Sequence, residues 1–216
     1  MNPIDFLLHF DQHLLEFVRD YGAWVYGILF VIIFVETGFV VWPFLPGDSL
    51  LFAAGALSAT APESLNPFVT SGLLFVAAVL GDGVNYSIGR RIGPQIFKST
   101  DRTSWLQRIL NRDHLNRAHE FFERHGGKAV VLGRFVPIVR TFVPFVAGAA
   151  KMTPASFVLY NFTGGAVWVA GCFGAGYAFG NVPIIKNNFS LVTIGIVLVS
   201  VLPMVIEYIR HRRRRL

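Results

Sequence analysis

The chain has 216 residues, of which 53% are hydrophobic and 15% charged, and its mean hydropathy is +0.53. These values exclude an ordinary water-soluble domain and indicate that lipid is the solvent for much of the chain. The net charge of +6 does not indicate a nucleic-acid partner, because the basic residues follow the ends of apolar segments rather than one soluble face. A single cysteine excludes an internal disulfide.

The N-terminal part begins with an amphipathic pattern and continues with an apolar one. Asn2 and Pro3 form a helix-start signal, after which large apolar residues recur at near-helical spacing. We therefore predict an amphipathic helix over residues 1–22 that lies on the membrane surface. Residues 23–41 are apolar and long enough to cross about 30 Å of hydrocarbon, and this first predicted span contains Glu36.

Two further apolar segments complete a predicted first repeat over residues 23–90. Residues 43–60 hold an apolar stretch that is too short to span and opens with prolines, a glycine and Asp48, so we predict a re-entrant hairpin there. Residues 68–88 are long enough to span. The polar residues in and directly after this span are Asp82, Asn85, Arg90 and Arg91.

Basic residues mark the segment between the two predicted repeats. Residues 91–128 are rich in lysine and arginine, and Asp113 is expected to cap a water-exposed helix that ends at Gly126 and Gly127. The positive-inside rule places this helical loop in the cytoplasm, together with the arginine-rich tail at residues 210–216.

The second predicted repeat covers residues 129–209. Its first part, residues 129–150, is apolar but contains two arginines and two prolines, which a continuous lipid-facing helix does not accommodate. Residues 154–179 and 189–209 are the expected spans. Because these two crossings already separate the two cytoplasmic basic segments, residues 129–150 must enter and leave on the cytoplasmic side as a second re-entrant hairpin.

These segments together predict an all-α membrane protein with a single membrane domain over residues 1–216. It has about four full spans, an N-terminal amphipathic helix and both termini in the cytoplasm. The hairpin at 43–60 enters from outside and the hairpin at 129–150 from the cytoplasm, which is the arrangement of an inverted-repeat transporter. A local similarity between residues 42–47 and 143–148 supports the repeat.

Five charged residues fall within apolar segments, where each isolated charge is unfavourable, so we expect one buried polar site. Two arginines six residues apart suit a phosphate, because guanidinium groups keep their charge and match phosphate oxygens. Burial favours the neutral form of a carboxyl group, so the acidic residues could load and release a proton. The residues concerned are Glu36, Asp48, Asp82, Arg134 and Arg140.

The same charges also fit a structural interpretation, in which salt bridges hold the hairpins against the spans. Asp82 fits this interpretation best, because Asn85 and Arg90 lie close enough in sequence to satisfy it. Of the other carboxylates, Glu36 is the better proton carrier, since Asp48 stands where a half-helix should begin and could equally be a cap.

No sequence motif indicates an enzyme, a metal site or a cofactor. The six histidines lie in surface segments without the spacing of a zinc site, and the motifs of intramembrane proteases and hydrolases are absent. We therefore expect a non-enzymatic protein with no metal and no cofactor. The tryptophans, including Trp168, are expected at the membrane interface or in packing. A scaffold for envelope proteins stays open as an alternative.

Three motifs resemble those of the DedA family of bacterial inner-membrane proteins. The first joins Glu36 to Asp48 (FVETG followed by PFLPGDSLL), the second contains Asp82 (GDGVNYSIGR), and the third carries Arg134 and Arg140 (GRFVPIVRTFVPFVAG). The similarity extends through nearly the whole chain. This family is related to the eukaryotic VTT-domain lipid scramblases.

The resemblance implies a lipid transporter. Members act as flippases that return undecaprenyl phosphate, the lipid carrier of the cell envelope, to the cytoplasmic leaflet, and the family is tied to the proton motive force and membrane homeostasis. The expected partners are therefore this lipid or a related phospholipid, protons, and anionic lipid at the arginine tail, and the chain could form homo-oligomers. The alternative is a proton-coupled transporter of a small solute, a cation or a drug.

The resemblance also assigns roles to residues. The family's essential carboxylates correspond to Glu36 and Asp48, which implies proton coupling, and its essential arginines correspond to Arg134 and Arg140, which implies phosphate binding. Asp82 is not carried over with them. The supporting candidates are Asp82, Asn85 and Arg90.

Overall fold

All the secondary structure that the computed structural model describes is helical. The described residues are 22–39, 47–98, 112–136 and 139–182, and no strand occurs within these ranges. Two short 3-10 turns, Gly126–Lys128 and Gly133–Phe135, separate some of the helices. The α-helices are α1 (Ala23–Gly38), α2 (Gly47–Thr60), α3 (Pro67–Lys98), α4 (Arg112–His125), α5 (Ala129–Leu132), α6 (Val139–Ala149) and α7 (Pro154–Gly180).

The two longest helices, α3 and α7, start at prolines, which suit the first position of a helix. Before α3, the side-chain oxygen of Asn66 accepts hydrogen bonds from the backbone N–H groups of Phe68 and Val69, and so caps the helix. Pro67–Gly93 in α3 and Pro154–Gly180 in α7 are long and apolar enough to cross a membrane. Two of the predicted spans therefore coincide with continuous helices.

Large apolar side chains cover the outer faces of these two helices. Phe68 is 86% exposed and Leu159 is 62% exposed, and the similarly exposed residues on α3 and α7 include Val69, Val76, Leu80, Val158, Phe162 and Val167. A monomeric soluble protein rarely shows so large an apolar surface to water. These faces suit contact with lipid.

Helix α1 is shorter than the span predicted at residues 23–41. Its 16 residues extend over about 24 Å at 1.5 Å per residue, and residues 40–46 lie outside the described part of the chain. Also outside it are the amphipathic helix predicted over residues 1–22, apart from Gly22, the predicted span at 189–209 and the arginine tail. The inverted repeat, the re-entry of the hairpins and the number of spans stay predictions.

The chain divides into two compact units, and the described part of the first comprises residues 22–29, 47–73 and 169–182. Within it, α2 packs closely against the end of α7 through glycines. A Cβ atom on Gly55 would overlap the backbone carbonyl of Phe173, and one on Gly176 would overlap the carbonyl of Phe52. Small residues allow helix backbones to approach in this way.

The second unit contains residues 30–39, 74–98, 112–136 and 139–168 among those described. Here α6 packs on α3 through glycines, since a Cβ atom on Gly89 would overlap the carbonyl of Phe145 and one on Gly148 the carbonyl of Tyr86. The other side of α6 packs against α4. Buried residues of this core include Leu115, Ala118, Phe142 and Val146.

Two details of the second unit differ from the sequence predictions. Helix α4 is not simply exposed to water, because Leu115 and Ala118 on one of its faces are buried in the core. Asp113 is not its N-cap, because the helix already includes Arg112. Helix α3 continues past Arg90 and Arg91, where the predicted span ends, to Lys98, since basic residues end a membrane span without ending a helix.

The segment at residues 129–150 is broken, as its prolines and arginines predict. It consists of α5, the turn Gly133–Phe135 and α6, with Val136 extended between the last two. Pro144 lies inside α6. The interruption falls between Arg134 and Arg140.

Candidate functional site

Helices α1 and α3 bring two acidic residues into the core of the second unit. The helices approach closely at Gly38 and Gly81, where a Cβ atom on Gly81 would overlap the hydroxyl of Thr37. Gly81 directly precedes Asp82, and Gly38 lies two residues after Glu36. Glu36 is 2% exposed and Asp82 is 4% exposed, so both carboxylates lie out of contact with solvent.

The broken segment supplies two arginines to the same core. Arg134, in the turn Gly133–Phe135, forms a buried salt bridge to Asp82 and donates a second hydrogen bond to Oδ1 of Asn161 at 2.6 Å. Arg140, in the first turn of α6, has its Nη2 at 3.4 Å from Oε1 of Glu36. Each arginine is thereby paired with a carboxylate from a different helix.

Both arginines also contact the ring of Trp168 on α7. The guanidinium carbon of Arg140 lies 4.5 Å from the ring centroid and that of Arg134 lies 5.7 Å from it. These are cation–π distances, and tryptophan provides the strongest aromatic partner for a cation. Trp168 is 1% exposed, so it packs within the protein rather than at the membrane interface. It forms a platform for both charges.

Two asparagines hold the backbone around the charges. Asn85 donates hydrogen bonds to the carbonyls of Thr37, at 3.2 Å, and Thr141, at 2.7 Å, and so joins α1, α3 and α6. Asn161 on α7 donates to the carbonyl of Val79 on α3 at 2.9 Å. Buried amides with several partners fix the relative positions of the elements they join. The helices that carry the charged groups are therefore held in fixed relative positions by these hydrogen bonds.

Glycines on α7 make room for Arg134. A Cβ atom on Gly164 would lie 3.3 Å from Cδ and Nε of Arg134, and one on Gly165 would lie 3.6 Å from its Nη2. The first distance is tighter than most Cβ contacts, so a larger residue at position 164 would press on the Arg134 side chain, whereas the second is an ordinary van der Waals contact. Gly164 thus helps to define the space in which the arginine side chain lies.

We refer to Glu36, Asp82, Arg134, Arg140 and Trp168 as the arginine cluster. The two carboxylates balance the two guanidinium groups, so that the cluster is formally neutral when all four are ionised. One hydrogen-bond donor of the cluster is nevertheless unsatisfied: within the described residues, Nε of Arg134 is buried without a hydrogen-bond partner. A buried donor left in this state is unfavourable and is a natural point of attachment for an oxygen ligand.

The structure brings together five of the seven site residues that the sequence singled out, namely Glu36, Asp82, Asn85, Arg134 and Arg140. Asp48 belongs to the first unit, where it is exposed in the first turn of α2 and its charge suits the start of a helix as predicted.

Arg90 has a different role from the one considered for it. Its guanidinium donates to the hydroxyl of Tyr86 at 2.7 Å and to the carbonyl of Met152 at 3.1 Å, and the hydroxyl of Tyr86 also donates to that carbonyl. The partner of Asp82 is Arg134 instead. Arg90 therefore fastens the turn between α6 and α7 to α3.

Sequence reasoning missed Trp168 and Asn161. Both are buried on α7, and both contact an arginine of the cluster. An asparagine in the middle of an apolar segment was the available signal for Asn161, because such a residue seeks a polar partner. Within the described ranges, no group of three or more histidine, cysteine and acidic residues lies close enough to hold a metal ion.

Comparison with known proteins identifies the family. The VTT domain matches residues 45–178. The chain is also 51% identical to the protein DedA of Escherichia coli over 210 residues, which cover 97% of this chain and 94% of DedA. The chain belongs to the VTT-domain, DedA family.

Other relatives of this DedA-family chain are named as membrane proteins. An uncharacterized membrane protein of Mycobacterium tuberculosis is 41% identical over 195 residues, covering 90% of this chain and 83% of the relative. The inner membrane protein YqjA of Escherichia coli is 38% identical over 160 residues, covering 74% of this chain and 70% of YqjA. No solved structure gave a significant match. With the apolar faces of α3 and α7, these relatives establish a membrane protein.

Proposed function

We propose that this DedA-family protein is a flippase that moves a polyprenyl phosphate such as undecaprenyl phosphate, or a related phospholipid, across the inner membrane. The movement is coupled to the proton motive force and involves no covalent chemistry. The observation that carries the proposal is the arginine cluster, in which two guanidinium groups lie over one buried tryptophan and each is paired with a carboxylate.

The cluster suits a phosphate because a phosphate group could replace the carboxylates as the anionic partner of the two arginines. A phosphate monoester offers several anionic oxygens, and guanidinium groups bind such oxygens in pairs. Arg134 and Arg140 approach the same ring of Trp168, so a single phosphate could contact both. The unused Nε–H of Arg134 supplies a further donor. Trp168 would hold the two like charges in place while their partners change.

The carboxylates are the groups proposed to bind and release the coupled protons. When Glu36 or Asp82 takes up a proton, its attraction for the paired arginine falls and the guanidinium becomes available to phosphate. Release of the proton restores the salt bridge and expels the phosphate. Glu36 is the proposed carrier because it pairs with Arg140, and Asp48 keeps the second proton-coupling role that the family resemblance implies.

A cation or drug transporter is the alternative that the same cluster must be tested against. There the carboxylates would bind the solute and the arginines would serve only as charge partners. Arg140→Lys separates the two ideas, because lysine keeps the charge but loses the planar pair of donors. A phosphate site should fail with lysine, whereas a charge partner should tolerate it.

The proposal is tested in bacteria that lack this protein and its paralogues, by measuring the undecaprenyl phosphate exposed on the outer surface of the inner membrane. Without a flippase the exposed lipid should rise severalfold, and the wild-type chain should restore its level. Arg134→Gln, Arg140→Gln and Arg140→Lys should fail to restore it.

Arg117→Gln is the matched control, since Arg117 is an exposed arginine on α4 outside the cluster. It should restore the level as the wild type does, with all variants present in equal amounts in the membrane. Equal exposed lipid in every strain, including the one without any copy, would refute the proposal. Restoration by Arg140→Lys as well as by the wild type would show that Arg140 acts as a charge partner rather than as a paired phosphate ligand.

A further inference from the structure

A second feature of the same unit is an open groove between α3 and α7. Its volume is about 600 Å³, and it is bordered mainly by apolar side chains, including Val79, Leu80, Val84, Ile88, Phe157 and Val158. Leu80 and Val158 are 51% and 57% exposed, so the groove opens on the lipid-facing surface of both helices.

The length of the groove matches one leaflet of a bilayer. It extends along α3 from Val79 to Arg91, a helical distance of about 18 Å at 1.5 Å per residue. Half of a bilayer's hydrocarbon core is about 15 Å thick. The groove runs parallel to a helix that crosses the membrane, and it is therefore oriented as a lipid chain would be.

The two ends of the groove differ in chemistry. At one end stands Arg91, exposed and close to Ser87 on the same helix face, and within the described residues Arg91 has no ion pair to a carboxylate. At the other end the groove reaches Asn161, which accepts a hydrogen bond from Arg134. The groove thus has a cationic residue at one end, apolar side chains along its length, and a residue that contacts the arginine cluster at the other end.

We propose that this groove binds one lipid of the membrane, with an anionic phosphate headgroup on Arg91 and a hydrocarbon chain along α3 and α7. The complementary charge at the rim selects an anionic headgroup, and the apolar wall selects the chain. The inference extends the proposed function by assigning a waiting position for phosphate lipids beside the cluster. It rests on the membrane placement of α3 and α7 rather than on transport itself.

Gly83 provides a clean way to fill the groove. It lies in the groove wall, and a Cβ atom built on it meets nothing within 4 Å. Gly83→Leu therefore places a branched side chain in open space without moving the backbone, and leucine favours the helix more than glycine does. Gly72→Leu is the matched control, because Gly72 is on the same helix, is equally open and does not border the groove.

The experiment measures lipid bound to the purified full-length chain in detergent by native mass spectrometry. The probes are dioleoyl phosphatidic acid, dioleoylglycerol with the same chains but no phosphate, and water-soluble glycerol 3-phosphate. The wild type should bind phosphatidic acid at least tenfold more tightly than either of the other two. Gly83→Leu should lower this affinity about tenfold, and Gly72→Leu should leave it unchanged.

Arg91→Gln should bring the affinity for phosphatidic acid down to that for dioleoylglycerol, with the latter unaffected. The proposal that the groove binds lipid would be overturned if Gly83→Leu bound phosphatidic acid as tightly as the wild type. An equal loss of affinity in Gly72→Leu would overturn it as well. Binding of glycerol 3-phosphate as tight as that of phosphatidic acid would show a free-phosphate site instead and would overturn it too.

The outcome is separable from that of the flippase proposal. Arg134→Gln and Arg140→Gln lie outside the groove wall and should abolish restoration of the exposed-lipid level while phosphatidic acid still binds. If the groove variants bind normally but the cluster variants fail in cells, the groove is wrong and the flippase stands. If the groove variants lose binding and every strain has equal exposed lipid, the groove proposal stands and the flippase proposal is wrong.

Discussion

The residues of the arginine cluster depend on one another because they are buried. Asp82 and Arg134 are only 4% and 6% exposed, and an unpaired charge at such a position is far less favourable than a pair. Asp82 is thus the direct charge partner of Arg134. Its charge and that of Arg134 should contribute to stability as a unit.

We therefore predict strong coupling between Asp82 and Arg134 in a double-mutant cycle. Asp82→Asn or Arg134→Gln alone should lower the free energy of unfolding by roughly 3–5 kcal/mol, because each leaves the other charge buried alone. The double variant should lose clearly less than the sum of the two. Unfolding in mixed detergent micelles, followed by circular dichroism, gives these values, and strictly additive losses would contradict the pairing.

Trp168 is predicted to act through its ring. Trp168→Leu removes the cation–π contact with both arginines, which is worth about 1–2 kcal/mol at a desolvated site, so lipid transport should slow about tenfold. Trp168→Phe should keep part of the rate. Trp24→Leu is the control, because Trp24 is 75% exposed, and equal rates for Trp168→Leu and the wild type would contradict the role.

At this scale the sequence predicts the charges but not their partners. A charged residue in an apolar segment is conspicuous whatever its surroundings, so Glu36, Arg134 and Arg140 could be selected directly. Trp168 could not, because a tryptophan in a span is ordinary and only the fold shows which face it presents. The pairing of Asp82 with Arg134 across 52 positions depends likewise on how α3 meets the broken segment.

Among the helices, close packing depends on glycine. Where α3 crosses α6, Gly89 and Gly93 are one turn apart on α3, and a Cβ atom on either would overlap atoms of Phe145 or Ala149. Such an interface has little apolar driving force in lipid and relies on close fit. It also fixes the position of α6, whose first turn carries Arg140.

Gly89→Val should therefore destabilise the second unit. The added side chain meets the backbone carbonyl of Phe145, and overpacking of this kind lowers the free energy of unfolding by roughly 1–3 kcal/mol. Gly72→Val is the control on the same helix, since its Cβ position is open. The same micelle titration measures both variants, and equal midpoints would show that α3 and α6 are not in close contact.

The elements themselves were predictable to different degrees. The spans in α3 and α7 follow from length and apolar content alone, and the break at residues 129–150 follows from its prolines and arginines. The continuation of α3 to Lys98 and the buried face of α4 could not be predicted in this way. Both involve residues that hydropathy identifies only as polar, whereas helical propensity and tertiary packing decide their structure.

For the molecule as a whole, the proposed transport is an exchange of binding partners by the two arginines. The arginines bind carboxylates in the structure, and we propose that they bind lipid phosphate when protons neutralise those carboxylates. Transport should then depend on both groups at once: without the arginines there is no substrate site, and without a titrating Glu36 the site no longer responds to the proton gradient.

The most direct test is lipid translocation by the purified chain in proteoliposomes with an imposed pH gradient, using a fluorescent polyprenyl phosphate. The wild type should move the lipid faster with the gradient than without it. Arg140→Gln and Arg140→Lys should reduce the rate about 10- to 100-fold, as expected for the loss of a charged hydrogen-bonding pair, and Glu36→Gln should remove the response to the gradient. Translocation at the wild-type rate in all three variants, with the gradient response intact, would contradict the account.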